Sequence, residues 1–153
     1  GLAQHLRPYL DAQGITEASL AQGPDLSAVV AILQERAKTL VEMAEAARMF
    51  YLAPVTGEVK DVEKHLHGQS ALLESLLQHL ETLPVWTAAA IHSAIQELAV
   101  SHAEGKMGKI AQPLRVAVAG RAVSPPIDGT LALLGKDETL ARIRHARSWL
   151  AGG

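Results

Sequence analysis

The chain has 153 residues, 16.2 kDa, 48% apolar and 20% charged side chains and a net charge of −2, which fits one ordinary domain or two small helical ones and excludes a disordered chain. It has no cysteine, which excludes disulfides, iron–sulfur clusters and thiol chemistry. No apolar run approaches the roughly 18 residues of a membrane span, and Gly1 to Tyr9 lack the order of a secretory signal, so a cytoplasmic protein away from membranes is expected.

Aromatic residues are only 3%, so the core must be Leu, Ala, Val and Ile, a helix-rich palette. Leu2, Leu6, Tyr9 and Leu10 share one face of an opening helix that Gly14 can end. Thr16 can cap a short helix stopping near Gly23. Asp25 suits the cap of a helix from Leu26 to about Lys38. Thr39-Leu-Val-Glu42 has the form of a capping box, and predicts a helix over 40–50 or a bend in a longer one. Ala53-Pro54 breaks the pattern. A boundary is therefore expected near residues 50–55, with subdomains 1–52 and 53–153.

Val59 to Leu66 reads as a helix ended near Gly68. Ser70 can then cap a helix over 71–80 with a stripe of Leu72, Leu73, Leu76, Leu77 and Leu80. Thr87 can cap the next, from Ala88 to about His102, with Ile91, Ile95, Leu98 and Ala99 inward. Gly105 and Gly108 bracket a basic turn. Leu114 to Gly120 alternates apolar and small residues as a strand would. Ser124-Pro125-Pro126 predicts a helix start with a capping hydroxyl and Pro at the first helical position. That helix runs to Leu134, where Gly135 stops it. Asp137 opens a last helix to about Ala151.

The net charge conceals an asymmetry. Residues 1–105 carry six Lys/Arg against thirteen Asp/Glu, a net of −7, and residues 106–153 carry eight against three, a net of +5. A basic final third suggests a surface that meets an anion, or else a solvated helix face.

Motifs for catalysis are sparse. The seven histidines show no ligand spacing: His65 and His67 would diverge on a helix, and His92 and His102 have no carboxylate pair beside them. Gly105-Lys-Met-Gly-Lys109 is not a P-loop. It is similar to the Lys-Met-Ser-Lys loop of class I aminoacyl-tRNA synthetases, but that loop works beside a nucleotide-binding sheet, and no such sheet is encoded. A plain basic turn is the better reading. There is no Gly-x-Ser-x-Gly elbow and no marked acid pair, so the isolated chain is not expected to be an enzyme.

One segment is specific. Ile110-Ala-Gln-Pro-Leu-Arg-Val-Ala-Val-Ala-Gly120, then Val123-Ser-Pro-Pro-Ile127 and Leu131-Ala-Leu-Leu-Gly-Lys136, resembles the C-terminal end of bacterial glutamyl-tRNA synthetases. His5-Leu-Arg-Pro-Tyr9, Gln34-Glu-Arg-Ala-Lys-Thr-Leu40, Met49-Phe50-Tyr51 and Trp86-Thr87 agree with it, so the resemblance covers nearly the whole chain. Ala119, Pro126 and Asp128 depart from the family's usual Thr, Gly and aromatic residue.

The resemblance implies an all-α fold of two helical subdomains forming a cage for an anticodon, and it implies a helix through Arg115 to Val118 in place of the strand. It implies that Arg115 contacts the first anticodon base, that Ser124 and Ile127 line the central and third bases, and that Arg36 reads the third. The cleft between subdomains would be the binding site. Lys106, Lys109 and Arg121 are candidate phosphate contacts. The plainer alternatives are a surface Arg115, a helix-capping Ser124 and a core Ile127. The implied partner is glutamate tRNA, bound by a monomer. No cofactor is expected in this chain. ATP and magnesium would serve the catalytic half of a parent ligase, which the chain lacks. The competing expectation is a helical protein–protein module with a basic C-terminal face.

Overall fold

The computed structural model describes residues 1–150, all in helices, turns and loops, with no strand among them. Contacts divide the chain into two units, Gly1–Ala53 and a second from Pro54 onward.

The first unit holds α1 (Leu2–Ala12), α2 (Glu17–Gln22), α3 (Leu26–Leu33) and α4 (Leu40–Tyr51). Its core is aliphatic with one ring: Leu6, Leu10, Ile15, Val29, Leu33, Met43 and Phe50 are buried. Tyr9 falls short of that face and is 39% exposed. The predicted caps form: Thr16 accepts from the Ser19 amide, Asp25 from Ala28 and Thr39 from Glu42. The capping box closes one residue early, because Glu42 Oε2 takes the Lys38 amide at 2.9 Å. This explains why α3 stops at Leu33 and not near Lys38. The chain makes a tight turn at 34–36, where the Arg36 amide donates to Leu33 O at 3.0 Å, and then extends to set the cap of α4.

Tyr51 closes this unit. Its hydroxyl donates to Pro24 O at 2.9 Å. Burial and the nearby Asp25 carboxylate push its pKa up to about 12. Its ring lies so close to Gly23 that a Cβ there would sit 2.5 Å from it.

The second unit begins with α5 (Val59–Asp61), continued as one π-helical stretch over Val62–Leu66. Then come α6 (Ser70–Glu81), α7 (Ala88–His102), α8 (Gly108–Ala119), α9 (Ile127–Leu134) and α10 (Lys136–Arg147), with a 3₁₀ turn at Ser148–Leu150. The end expected near Ala151 lies outside the described residues. All five leucines of the α6 stripe are buried, as are Ile91, Ile95, Leu98 and Ala99 of α7. Thr87 caps α7 through the Ala90 amide. Ser70 is not a cap: it is the first residue of α6, and Gln69 occupies the cap position without a side-chain bond.

Helix α8 is the centre of this unit. It packs against the π-helical stretch, α6, α7, α9 and α10. Ile110, Pro113, Leu114, Val116, Ala117 and Val118 are therefore all buried. The less-buried Lys109, Gln112, Arg115 and Ala119 of α8 keep helical spacing, but only Arg115 and Ala119 fall within 114–120, and so short an apolar run does not tell a helix from a strand. The helix that the resemblance implied is the one observed.

Candidate nucleic-acid interface

The C-terminal half of α8 and the loop that follows it form one hydrogen-bonded assembly. Gly120 ends the helix at φ +78°, a left-handed conformation that glycine adopts without a Cβ penalty. A Cβ there would lie 2.9 Å from the Pro54 side chain. The loop is pinned from the start of the same unit: the Glu58 amide donates to Gly120 O at 2.7 Å, and Asp61 Oδ2 accepts from the Ala122 amide at 2.9 Å.

This pinning brings Ser124 back to Arg115. Arg115 Nε donates to Ser124 Oγ at 2.8 Å, and Arg115 Nη1 donates to Gln112 Oε1. The Ser124 hydroxyl donates its own proton to Pro125 O at 2.7 Å. Ser124 is therefore not the cap of α9. That helix starts at Ile127 with no side-chain cap, and the hydroxyl that serves the Pro125 and Pro126 carbonyls from inside it is Thr130. Two consecutive prolines delay the helix, and the serine turns toward the arginine.

Ile127 is 8% exposed and counts with the core of its unit. Asp128, half-buried, bonds the Gly129 amide and faces His92 Nδ1 at 3.6 Å. Arg36 lies in the other unit, exposed on the turn at 34–36.

Seven of the eight cations after residue 105, all but Arg115, divide into two groups. Lys136 Nζ donates to Glu81 O and Leu83 O behind α6. Arg142, buried, donates from Nε to Glu138 Oε2 at 2.7 Å and from Nη1 to Val118 O at 2.9 Å. Burial lowers its pKa, against the opposing effect of Glu138. Arg144 and Arg147 pair with Glu81 and Glu74. The other group differs. Among the described residues, the exposed side chains of Lys106, Lys109 and Arg121 make no hydrogen bond or ion pair. Lys106 and Lys109 line a groove of about 450 Å³ together with His102, Gln69 and Ser75. Four of the eight cations are thus engaged inside the unit, mainly with α6 and its end, and three are presented outward around α8.

The sequence reading missed two supports of this arrangement, Gln112 and Asp61. Gln112 had a usable signal, its i, i+3 spacing to Arg115, once the segment is a helix. Asp61 acts across the fold and had none. Among the described residues no group of three or more His, Asp or Glu side chains comes together as metal ligands, and no helix is long and apolar enough to cross a membrane.

An arginine held by neutral acceptors on a rigid helix suits recognition of a splayed base edge, and unengaged lysines nearby suit phosphates. The family model of the anticodon binding domain matches residues 1–147. The chain is 76% identical over 150 residues to glutamate–tRNA ligase 1 of Acidithiobacillus ferrooxidans, covering 98% of this chain and 32% of that protein. It is 48% identical to glutamate–tRNA ligase 2 of Halorhodospira halophila, covering 97% and 31%. The fold is that of a solved glutamate tRNA ligase from Elizabethkingia meningosepticum, with a TM-score of 0.79 at 22% identity, covering 97% of this chain and 29% of that one. The chain spans about a third of the length of the curated relatives it matches, and it belongs to the anticodon-binding domain family.

Proposed function

We propose that the chain is the anticodon-reading part of a glutamate–tRNA ligase, and that it supplies recognition and not chemistry. The observation that carries this reading is the 76% identity to the Acidithiobacillus ligase across 98% of the chain. The parent enzyme would join glutamate to its tRNA with ATP and magnesium. Both requirements fall on its catalytic part. The partner is the anticodon loop of glutamate tRNA, the working species a monomer, and the location the cytoplasm.

The chemistry follows from the base edges. Arg115 reads the first anticodon base from the C-terminal half of α8, and Ser124 and Ile127 line the central and third bases. Arg36 reads the third. Cytosine, the third base for glutamate, presents the N3 and O2 acceptors to a guanidinium fork. Guanine, the third base for glutamine, presents N1–H and N2–H₂ donors instead. Donors facing donors leave polar groups unpaired, at a cost of about 1–3 kcal/mol. Lys106, Lys109 and Arg121 contact phosphates, which adds affinity without sequence information.

The alternative, a protein–protein module, drew on the basic C-terminal face. Lys136, Arg142, Arg144 and Arg147 of that face are engaged inside the unit, which removes much of its support. The test is binding of this chain to anticodon stem–loops with C or G at the third base. A preference for C of roughly ten- to a hundredfold is expected, shrinking in Arg36→Gln because glutamine carries both a donor and an acceptor. Equal binding to both loops would overturn the reading.

A further inference from the structure

Gln112 belongs to no helix cap and no ion pair, yet it is half-buried with its amide oxygen directed at Arg115. It lies one turn before Arg115 on α8, so both side chains rise from the same face. Ser124 approaches the same guanidinium from the loop beyond Gly120. The two acceptors bind different atoms, Nη1 and Nε, and two bonds from a planar group fix its orientation in a way that one cannot. The Ser124 proton is committed to Pro125 O, so toward Arg115 this hydroxyl acts as an acceptor. The Gln112 amide oxygen has no alternative role, because an arginine only donates.

The acceptors are also neutral. A carboxylate at 112 would hold the fork equally well, but it would offset the positive charge that attracts RNA. An amide gives orientation without that loss.

We infer that Gln112 is a positioning residue for anticodon reading: with Ser124 as the second fixed point, it sets the plane in which Arg115 meets the first anticodon base. This rests on the reading of Arg115 as a base contact, and the test separates the two.

The measurement is binding of the full chain to a glutamate anticodon stem–loop and to the same loop made abasic at the first anticodon nucleotide. The ratio of the two affinities reports the base contact alone. Arg115→Ala should lower that ratio about tenfold. Gln112→Met, which keeps the bulk and removes the acceptor, should lower it about three- to tenfold. Gln112→Glu should restore the ratio while weakening both loops alike, because it keeps the acceptor and adds a negative charge. In an Arg115→Ala background Gln112→Met should change the ratio no further. Ser124→Ala, outside the helix, is the second variant should Gln112→Met fail to fold, and it should lower the ratio as well.

If Arg115→Ala leaves the ratio intact, the reading of Arg115 is wrong. If Arg115→Ala lowers it and the Gln112 and Ser124 variants do not, the positioning role is wrong. A loss in Gln112→Met that is equal for both loops would mark a purely structural side chain and would also overturn the inference.

Discussion

Lys136, Arg142, Arg144 and Arg147 all reach partners within their own unit, whereas Lys106, Lys109 and Arg121 make no side-chain bond among the described residues. Arg115 stands between these cases, held by an amide and a hydroxyl. Residues 106–121 and 136–147 carry four cations each, yet three of the first four face outward and all of the second four are engaged. On α10 the positive charge neutralises α6 and secures the end of α8. Around α8 it faces solvent. Net charge along a sequence measures neither, and only the distribution of partners separates a basic face from a basic filling.

Removing a structural cation should damage folding and spare binding. Arg142→Met leaves Val118 O without its donor and Glu138 without its partner. Hydrogen bonds to charged groups are worth about 1.5–3 kcal/mol. A loss of about 2–3 kcal/mol in a denaturant unfolding curve is expected, with unchanged RNA affinity per folded molecule. A matched loss of affinity would erase the distinction between the two groups.

The loop that carries Ser124 gives the next effect. Gly120→Ala adds conformational strain and drives a Cβ to 2.9 Å from Pro54. A destabilisation of about 2 kcal/mol is expected, within the usual range for strained backbone, together with a lower ratio for the intact over the abasic stem–loop. Gly135 has φ +85° and ψ 160°, a region that is essentially glycine's alone, with no neighbour within 4 Å. Gly135→Ala should therefore cost about 2–3 kcal/mol through backbone strain and leave that ratio alone. An equal fall of the ratio in both variants would show that the loop beyond Gly120 has no particular link to binding.

A smaller effect belongs to the first unit. The Tyr51 hydroxyl is held protonated up to about pH 12, against an ordinary value of 10.0. Its contribution to stability is full below pH 10 and is lost as pH rises through 12, because the unfolded chain ionises first. Tyr51→Phe should remove that alkaline dependence, read by unfolding at several pH values. An identical pH profile in Tyr51→Phe would exclude the Tyr51 hydroxyl as its source.

Helix starts were legible where a hydroxyl or carboxylate caps its own helix: Thr16, Asp25, Thr39 and Thr87 act locally, and local chemistry is what a sequence displays. Ser70 and Ser124 were misread by the same rule, since a serine before a helix is a cap only if the chain enters there. Two prolines moved the entry to Ile127, and Ser124 found Arg115 instead. The strand-like pattern of 114–120 failed for a different reason: all of that run but Arg115 and Ala119 is buried, and a short apolar run does not distinguish a helix from a strand. Arg115 is singled out by the resemblance, whereas the side chains that hold it are not. Gln112 needed the helix to be known, and Asp61 reaches Ala122 across a separation that no spacing rule covers.

The most direct test of the two-group account is the salt dependence of binding to the glutamate anticodon stem–loop, measured for the chain and for two paired variants. With about three phosphates neutralised, at roughly 0.7 per single-strand contact, the logarithmic slope should lie near −2. Lys106→Ala with Lys109→Ala should flatten it to about −0.7, lowering affinity alike for all loops. Arg144→Ala with Arg147→Ala should leave the slope where it was. A flat slope for the unaltered chain, or an equal flattening by both pairs, would contradict the account.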